Sequence, residues 1–208
     1  MPARPSKAPS PWATARDKVA EREQKREAVI QTAAQAFSEN GYHRTSLDGI
    51  ANLLGVTKPT LYYYARNKED LLDLVIDRAL SMILAVPPGH DSVPGLDQLK
   101  HLMRKYAEVI GTDFGRCLVA VNEYDLSPEA FKRSQSGKKQ IDERIRSLIL
   151  KGQADGSIGP CDPKYIAFML AGAINWIGRW HREGGEMSAG SVGELFANQI
   201  AVGLMPRP

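Results

Sequence analysis

Residues 45–70 read TSLDGIANLLGVTKPTLYYYARNKED, and their spacing decides the fold. Leu47, Ile50, Ala51 and Leu54 recur at helical intervals and give a first short helix one apolar face. Thr45 is placed to cap it, with Asp48 three residues on as a loose capping box. Gly55 ends it, because glycine enters the left-handed conformation without strain. Val56 fills the corner. Thr57 then caps a second, very short helix over residues 58 to about 64. Pro59 sits in its first turn, where a missing N–H is no loss. Two helices meeting at a glycine turn, the second being the reader, make a helix-turn-helix.

The second helix has an unusual surface. Lys58 puts a cation at a helix N-terminus, where the macrodipole disfavours it. Tyr62, Tyr63 and Tyr64 are consecutive, so they sweep about 200° of a helix that turns 100° per residue. At least one of these rings must face solvent. No acidic residue follows Lys58 before Glu69. Such a surface suits a polyanion, since phosphate oxygens accept from hydroxyls, ammonium groups and helix N-terminal N–H groups.

Outward from this stretch the chain is helical. Residues 17–40 read as one helix with an apolar stripe of Ala28, Val29, Thr32, Ala33, Ala36 and Phe37, stopped at Asn40-Gly41. It buttresses the two-helix unit, which has too little core to stand alone. Residues 1–17, rich in Pro, Ala and Ser, read as a disordered basic arm ahead of a DNA-binding unit at 18–66. Arg4, Lys7 and Arg16 in that arm either reach DNA or stay solvated. Asn67 caps a further helix that runs to about Val86 and breaks at Pro87-Pro88-Gly89. More helices follow at roughly 96–112, 115–125, 128–154, 163–183 and 191–204, with no strand-like alternation of useful length. The fold class expected is all-α.

Gly41, Thr45, Ile50, Ala51, the Gly55-Val56-Thr57 turn, Leu61-Tyr62, Lys68-Glu69 and Leu71 together resemble the N-terminal signature of TetR-family transcriptional regulators. The likeness runs from about Val29 to Leu74 with its spacing intact. It departs at Ala65, where the family usually has an aromatic, and at Pro59, where glycine is commoner. The resemblance implies a homodimeric regulator, most often a repressor, with residues 67–208 as a ligand-binding and dimerisation domain. It implies double-stranded operator DNA and a small-molecule effector as partners. An activator of the same fold is the alternative. The segment Ala173 to Trp180 with Gly184-Gly185 also resembles a subgroup that responds to acyl-CoA, which implies a CoA thioester or hydrophobic organic acid as effector.

Site residues follow from that likeness. Lys58, Pro59, Thr60 and Tyr63 fall on the base-reading positions, where lysine can donate to guanine and Thr or Pro can touch a thymine methyl. Thr45, Ser46, Thr57, Tyr62, Tyr64 and Lys68 fall on the phosphate-contact positions, which fix register. For Thr45 and Thr57, capping and phosphate contact are compatible. Tyr62 either packs inward or touches the backbone. Met103, Tyr106, Phe114, Cys117, Val121, Phe168, Trp176 and Arg179 fall on helices that line the family's ligand pocket, and Arg104, Arg116, Asn122 and His181 are further polar candidates there. The segment from Tyr165 to Ile174 is apolar nearly all round, so it must be buried on most sides. Either a monomer core or a second copy covers it. The second copy, suited to two-fold DNA, puts Ile166, Leu170, Ile174, Ile177, Leu195, Phe196 and Ile200 at a dimer interface.

Composition narrows the function classes. The 208 residues suit one or two domains of ordinary globular make-up. The formal charge of +3 lies wholly within residues 1–70, the DNA-binding end. Cys117 and Cys161 form no CxxC pair, which excludes a zinc ribbon and a disulfide scaffold and leaves reduced buried thiols. No apolar run approaches the ~20 residues of a membrane span. With no hydrophobic N-terminal stretch, a cytoplasmic protein without membrane partner is expected. His43, His90, His101 and His181 are scattered, with no HExxH, GxSxG or P-loop, so no enzyme, metal or cofactor is expected. A helical interaction adaptor using its last two helices on another partner is the rival from a different class.

Overall fold

A computed structural model describes residues 15–182 and 184–204. Nine α-helices run through them: α1 Ala15–Asn40, α2 Leu47–Leu54, α3 Lys58–Tyr62, α4 Lys68–Leu84, α5 Gly95–Ile110, α6 Asp113–Ala120, α7 Pro128–Ala154, α8 Pro163–Trp180 and α9 Ala189–Leu204. A single 3-10 turn, Glu123–Asp125, joins α6 to α7. Most of the expected basic arm lies outside the described residues; its last three, 15–17, already belong to α1.

The N-terminal unit is a three-helix bundle. α1 buries Val29, Ile30, Ala33, Ala34, Ala36 and Phe37, so the stripe is offset from the expected one and Ala28 is exposed. α2 buries Ile50 and Ala51 against it, and α3 inserts Leu61. Gly55 ends α2 at φ +67°, in the left-handed region, with its N–H returned to the carbonyls of Ala51 and Asn52. Ala65 is buried beneath α3, where an aromatic is usual in the resembling family.

Two caps differ from expectation. Ser46, not Thr45, caps α2: its Oγ accepts from Gly49 N–H at 3.0 Å. Gly41 turns the chain at φ +82°, and Thr45 folds back under the end of α1. There its Oγ1 lies 3.0 Å from the Ala36 carbonyl and 2.9 Å from that of Gly41. Thr57 makes no side-chain cap, its hydroxyl lying 2.9 Å from that of Thr60. α3 also closes sooner, with Tyr63 as its C-cap.

α4 leads from the N-terminal unit into the rest, burying Leu71, Leu72, Val75, Ile76, Ala79, Leu80 and Ile83. α5, α6 and α7 pack on it and α8 packs on those three, with Met103 and Ile110 of α5, Ile145 and Ile149 of α7 and Ile174 of α8 in the core. α9 lies closely along α5. A methyl group placed on Gly193 would stand 2.3 Å from Ala107 Cβ, so only glycine lets the two helices meet so tightly. α6 packs on α1 as well as on α4. Ser38 Oγ donates to Asp113 Oδ1 at 2.5 Å, and Cys117 Sγ donates to the Ala34 carbonyl at 3.4 Å. These contacts tie the N-terminal bundle to the C-terminal helices.

Candidate nucleic-acid interface and ligand cavity

α3 can be a reader only if its outer residues are exposed, and they are. Leu61 anchors it, while Thr57, Lys58, Pro59 and Thr60 are exposed. Tyr63 is 65% exposed and Tyr62 47%, which turns Tyr62 outward; Tyr64 is half-buried. The Tyr63 and Tyr64 rings meet edge to face at 5.3 Å. Ser46 is exposed as well, although its hydroxyl is engaged as the α2 cap. Ten side chains were expected to touch DNA, and eight of them stand on or beside this surface.

Thr45 and Lys68 do not. Thr45 is buried with its hydroxyl spent on backbone carbonyls. Lys68 turns inward from the first turn of α4. Its Nζ donates to the carbonyls of Tyr42 and Thr45 at 3.1 Å each, with that of His43 at 3.5 Å, and lies 4.3 Å over the Tyr42 ring. It satisfies the carbonyls of the α1–α2 turn, whose left-handed entry at Gly41 points several of them one way. Two neighbours of the reader were not anticipated. The Arg22 guanidinium of α1 stands 5.2 Å over the Tyr63 ring, and Asp48 Oδ2 accepts from Lys58 Nζ at 2.8 Å. Helical periodicity does not reveal pairings between separate helices.

In the C-terminal helices two expected groups trade places. Leu170, Ile174 and Ile177, expected at a dimer interface, are instead buried in the protomer core. Phe168 and Trp176, expected in the pocket, are 53% and 65% exposed on the outer face of α8. Three- and four-residue steps explain this: Phe168, Gly172 and Trp176 form one stripe, and Leu170, Ile174 and Ile177 another, turned toward the core. Tyr165, Met169 and Trp180 widen the outer stripe, and Leu195 on α9 is exposed too. Ile166, Phe196 and Ile200 are partly buried. The Arg146 guanidinium lies 5.5 Å over Phe168. Arg179 is exposed and donates to the Val119 carbonyl at 2.9 Å.

Of the other expected pocket residues, Met103 and Tyr106 are buried core. Tyr106 Oη donates to Asn175 Oδ1 at 2.8 Å, and burial pushes its phenol up to about 12. Phe114 lines a cavity of about 750 Å³ at the meeting of α1, α4, α6 and the α8–α9 connection. Gln31, Met82, Arg116, His181 and Met187 share its wall. Arg116 Nε and His181 Nδ1 are buried without a hydrogen-bond partner among the described residues, while His181 Nε2 sits 2.9 Å from the Met187 carbonyl. Cys117 and Val121 line a second cavity of about 430 Å³ under the α1–α2 turn. Among the described residues no cluster of His, Cys, Asp or Glu could hold a metal, and no helix is long and apolar enough to cross a membrane.

Known proteins share this architecture. Residues 29–75 match the model of bacterial regulatory proteins of the tetR family, and residues 92–204 match that of the tetracyclin repressor-like C-terminal domain. The HTH-type transcriptional regulator RutR of Escherichia coli O157:H7 is 28% identical over 149 residues, 70% of either chain. The crystal structure of PfmR, a TetR-family regulator from Thermus thermophilus, superposes with a TM-score of 0.77 at 24% identity, covering 86% of this chain and 99% of that one. AibR, solved in complex with isovaleryl coenzyme A and operator DNA, superposes at 0.69 with 22% identity, over 88% and 100% of the two chains. The second family match alone spans more than half of the 208 residues. The chain therefore belongs to the TetR family of helix-turn-helix transcriptional regulators and is not an enzyme.

Proposed function

We propose that this regulator is a ligand-released repressor that binds a two-fold symmetric operator as a homodimer in the cytoplasm. The observation that carries the reading is the free outer surface of α3, where Lys58, Pro59, Thr60 and Tyr63 stand exposed over a buried Leu61. Lys58 and Thr60 read base edges, and Ser46, Thr57, Tyr62 and Tyr64 hold phosphates. The apolar outer face of α8, with Leu195, Phe196 and Ile200 of α9, pairs with its counterpart on a second copy. A closed two-fold pair presents two readers to successive major grooves, about 34–36 Å apart.

Release works through α4 and α6. The effector is a hydrophobic acid or CoA thioester, consistent with the isovaleryl coenzyme A bound to AibR. It enters the larger cavity, where Met82, Phe114 and Met187 offer apolar wall and Arg116 offers a cation. Met82 belongs to α4 and Arg116 to α6, so a ligand there displaces both helices against α1. At the other end of α4, Lys68 holds the carbonyls that lead into α2. Movement of α4 thus reaches the reader through a hydrogen-bonded link. Ligand must bind the two arrangements unequally for this to operate. The test is operator binding titrated with isovaleryl coenzyme A and related thioesters. Release by at least one, weakened in Arg116→Gln, supports the reading; saturation of the parent by bound thioester with operator affinity unchanged contradicts it.

A further inference from the structure

The α2–α3 unit, residues 45–65, carries one cation, Lys58, and one anion, Asp48, and the two are paired at 2.8 Å. The face that meets a polyanion is therefore electrically neutral within this unit. We infer that Asp48 is a positioning residue, holding Lys58 as a base reader and withholding it from phosphate. The inference rests on the operator-binding reading above.

The geometry supplies the argument. Lys58 opens α3, where the helix dipole disfavours its charge. Asp48 lies in the first turn of α2, where the dipole favours a carboxylate, and it offsets the Lys58 charge from there. Among the described residues, Asp48 has no other side-chain hydrogen bond. An ammonium group has three donors. One serves Asp48, and two remain for the O6 and N7 acceptors of a guanine. Base reading is thus compatible with the pair. Phosphate contact is disfavoured by charge rather than by a lack of donors: the Asp48 carboxylate, 2.8 Å from the ammonium, repels a phosphate's negative charge, which a neutral guanine edge does not carry. The cost falls on non-specific complexes, where phosphate contact is all there is. Arg22 and Arg44, both exposed and outside the unit, remain available for phosphate.

The experiment uses the whole 208-residue chain. A duplex is selected from random DNA with the parent protein. Affinities for that duplex and for a scrambled one of equal length are then measured across salt concentrations for the parent, Asp48→Asn and Asp48→Glu. Both side chains of the pair are exposed, so melting temperatures should match. Asp48→Asn is expected to bind the scrambled duplex roughly tenfold more tightly as a dimer, with a salt slope steeper by about one per protomer. Its affinity for the selected duplex should stay level or fall, and Asp48→Glu should keep the parent's ratio. An equal gain on both duplexes would make Asp48 a general repelling charge and overturn the inference. No change on either duplex would overturn it too. A parent that selects no sequence would instead remove the operator reading beneath it.

Discussion

At the residue scale, DNA binding and stability turn on where a few donors point. Lys58→Ala should weaken binding to a selected operator by about 1–3 kcal/mol and relax preference at one base pair, and should weaken a scrambled duplex by less, through the Asp48 carboxylate it leaves unpaired. Tyr63→Ala should also lose affinity, through its stacked Arg22 as well as its own hydroxyl. Gel-shift titrations read both, and light scattering should find the assembly unchanged. Lys68→Met tests a different role. It takes the Lys68 donor from the Thr45 carbonyl and from that of Tyr42, which keeps the Thr45 N–H at 3.2 Å, so the melting transition should drop by an amount equivalent to about 1–3 kcal/mol. Burial pushes the Cys117 thiol from its usual value near 9 up to about 12, with Asp113 adding to the shift. Its folded value lies above its unfolded one, so its contribution to stability is complete below about pH 9 and is lost as pH rises toward 12. At pH 8 a thiol reagent should label the half-buried Cys161 first and reach Cys117 only on unfolding. The exposure of α3 and the tyrosines after it was legible in sequence, because a glycine corner and three adjacent tyrosines restrict what this stretch can hide. The inward turn of Thr45 and Lys68 was not. Both are ordinary DNA-contact types, and only the backbone path after Gly41 sends them to carbonyls instead.

At the element scale, helix positions were largely legible. Pro128 and Pro163 in first turns, Gly55 after α2 and the Pro87-Pro88-Gly89 break mark ends by backbone chemistry that acts locally. Which face of α8 points where was not legible. Leu170 and Trp176 are both apolar, and periodicity assigns two stripes without saying which one a second chain would cover. Packing decides it, since the slimmer Leu170, Ile174 and Ile177 fit the protomer core and the large aromatics are left outside. The closeness of α9 to α5 gives a direct test. Gly193→Leu forces a side chain into Ala107 and the Met103 carbonyl, and should cost about 1–3 kcal/mol or unseat α9, as thermal denaturation would report. The α1–α6 contact carries a functional expectation. Ser38→Ala removes the hydrogen bond to Asp113 and should leave operator affinity within a few-fold while reducing the response to effector.

At the scale of the whole molecule, the proposed dimer gives the exposed aromatics of α8 and the exposed surface of α3 one common purpose. A lone protomer would show Phe168, Met169 and Trp176 to water and would read only half of a two-fold site. Trp176→Glu should give a monomer by light scattering, with operator affinity falling by orders of magnitude because the second reader is no longer tethered. The most direct measurement is a footprint of the parent protein on a duplex it selects from random DNA, with the mass of the complex determined on the same duplex. Two protected half-sites with centres 10–10.5 base pairs apart, or a whole multiple of that, occupied by an even number of protomers, is the expected result. A single protected half-site held by one protomer would contradict it.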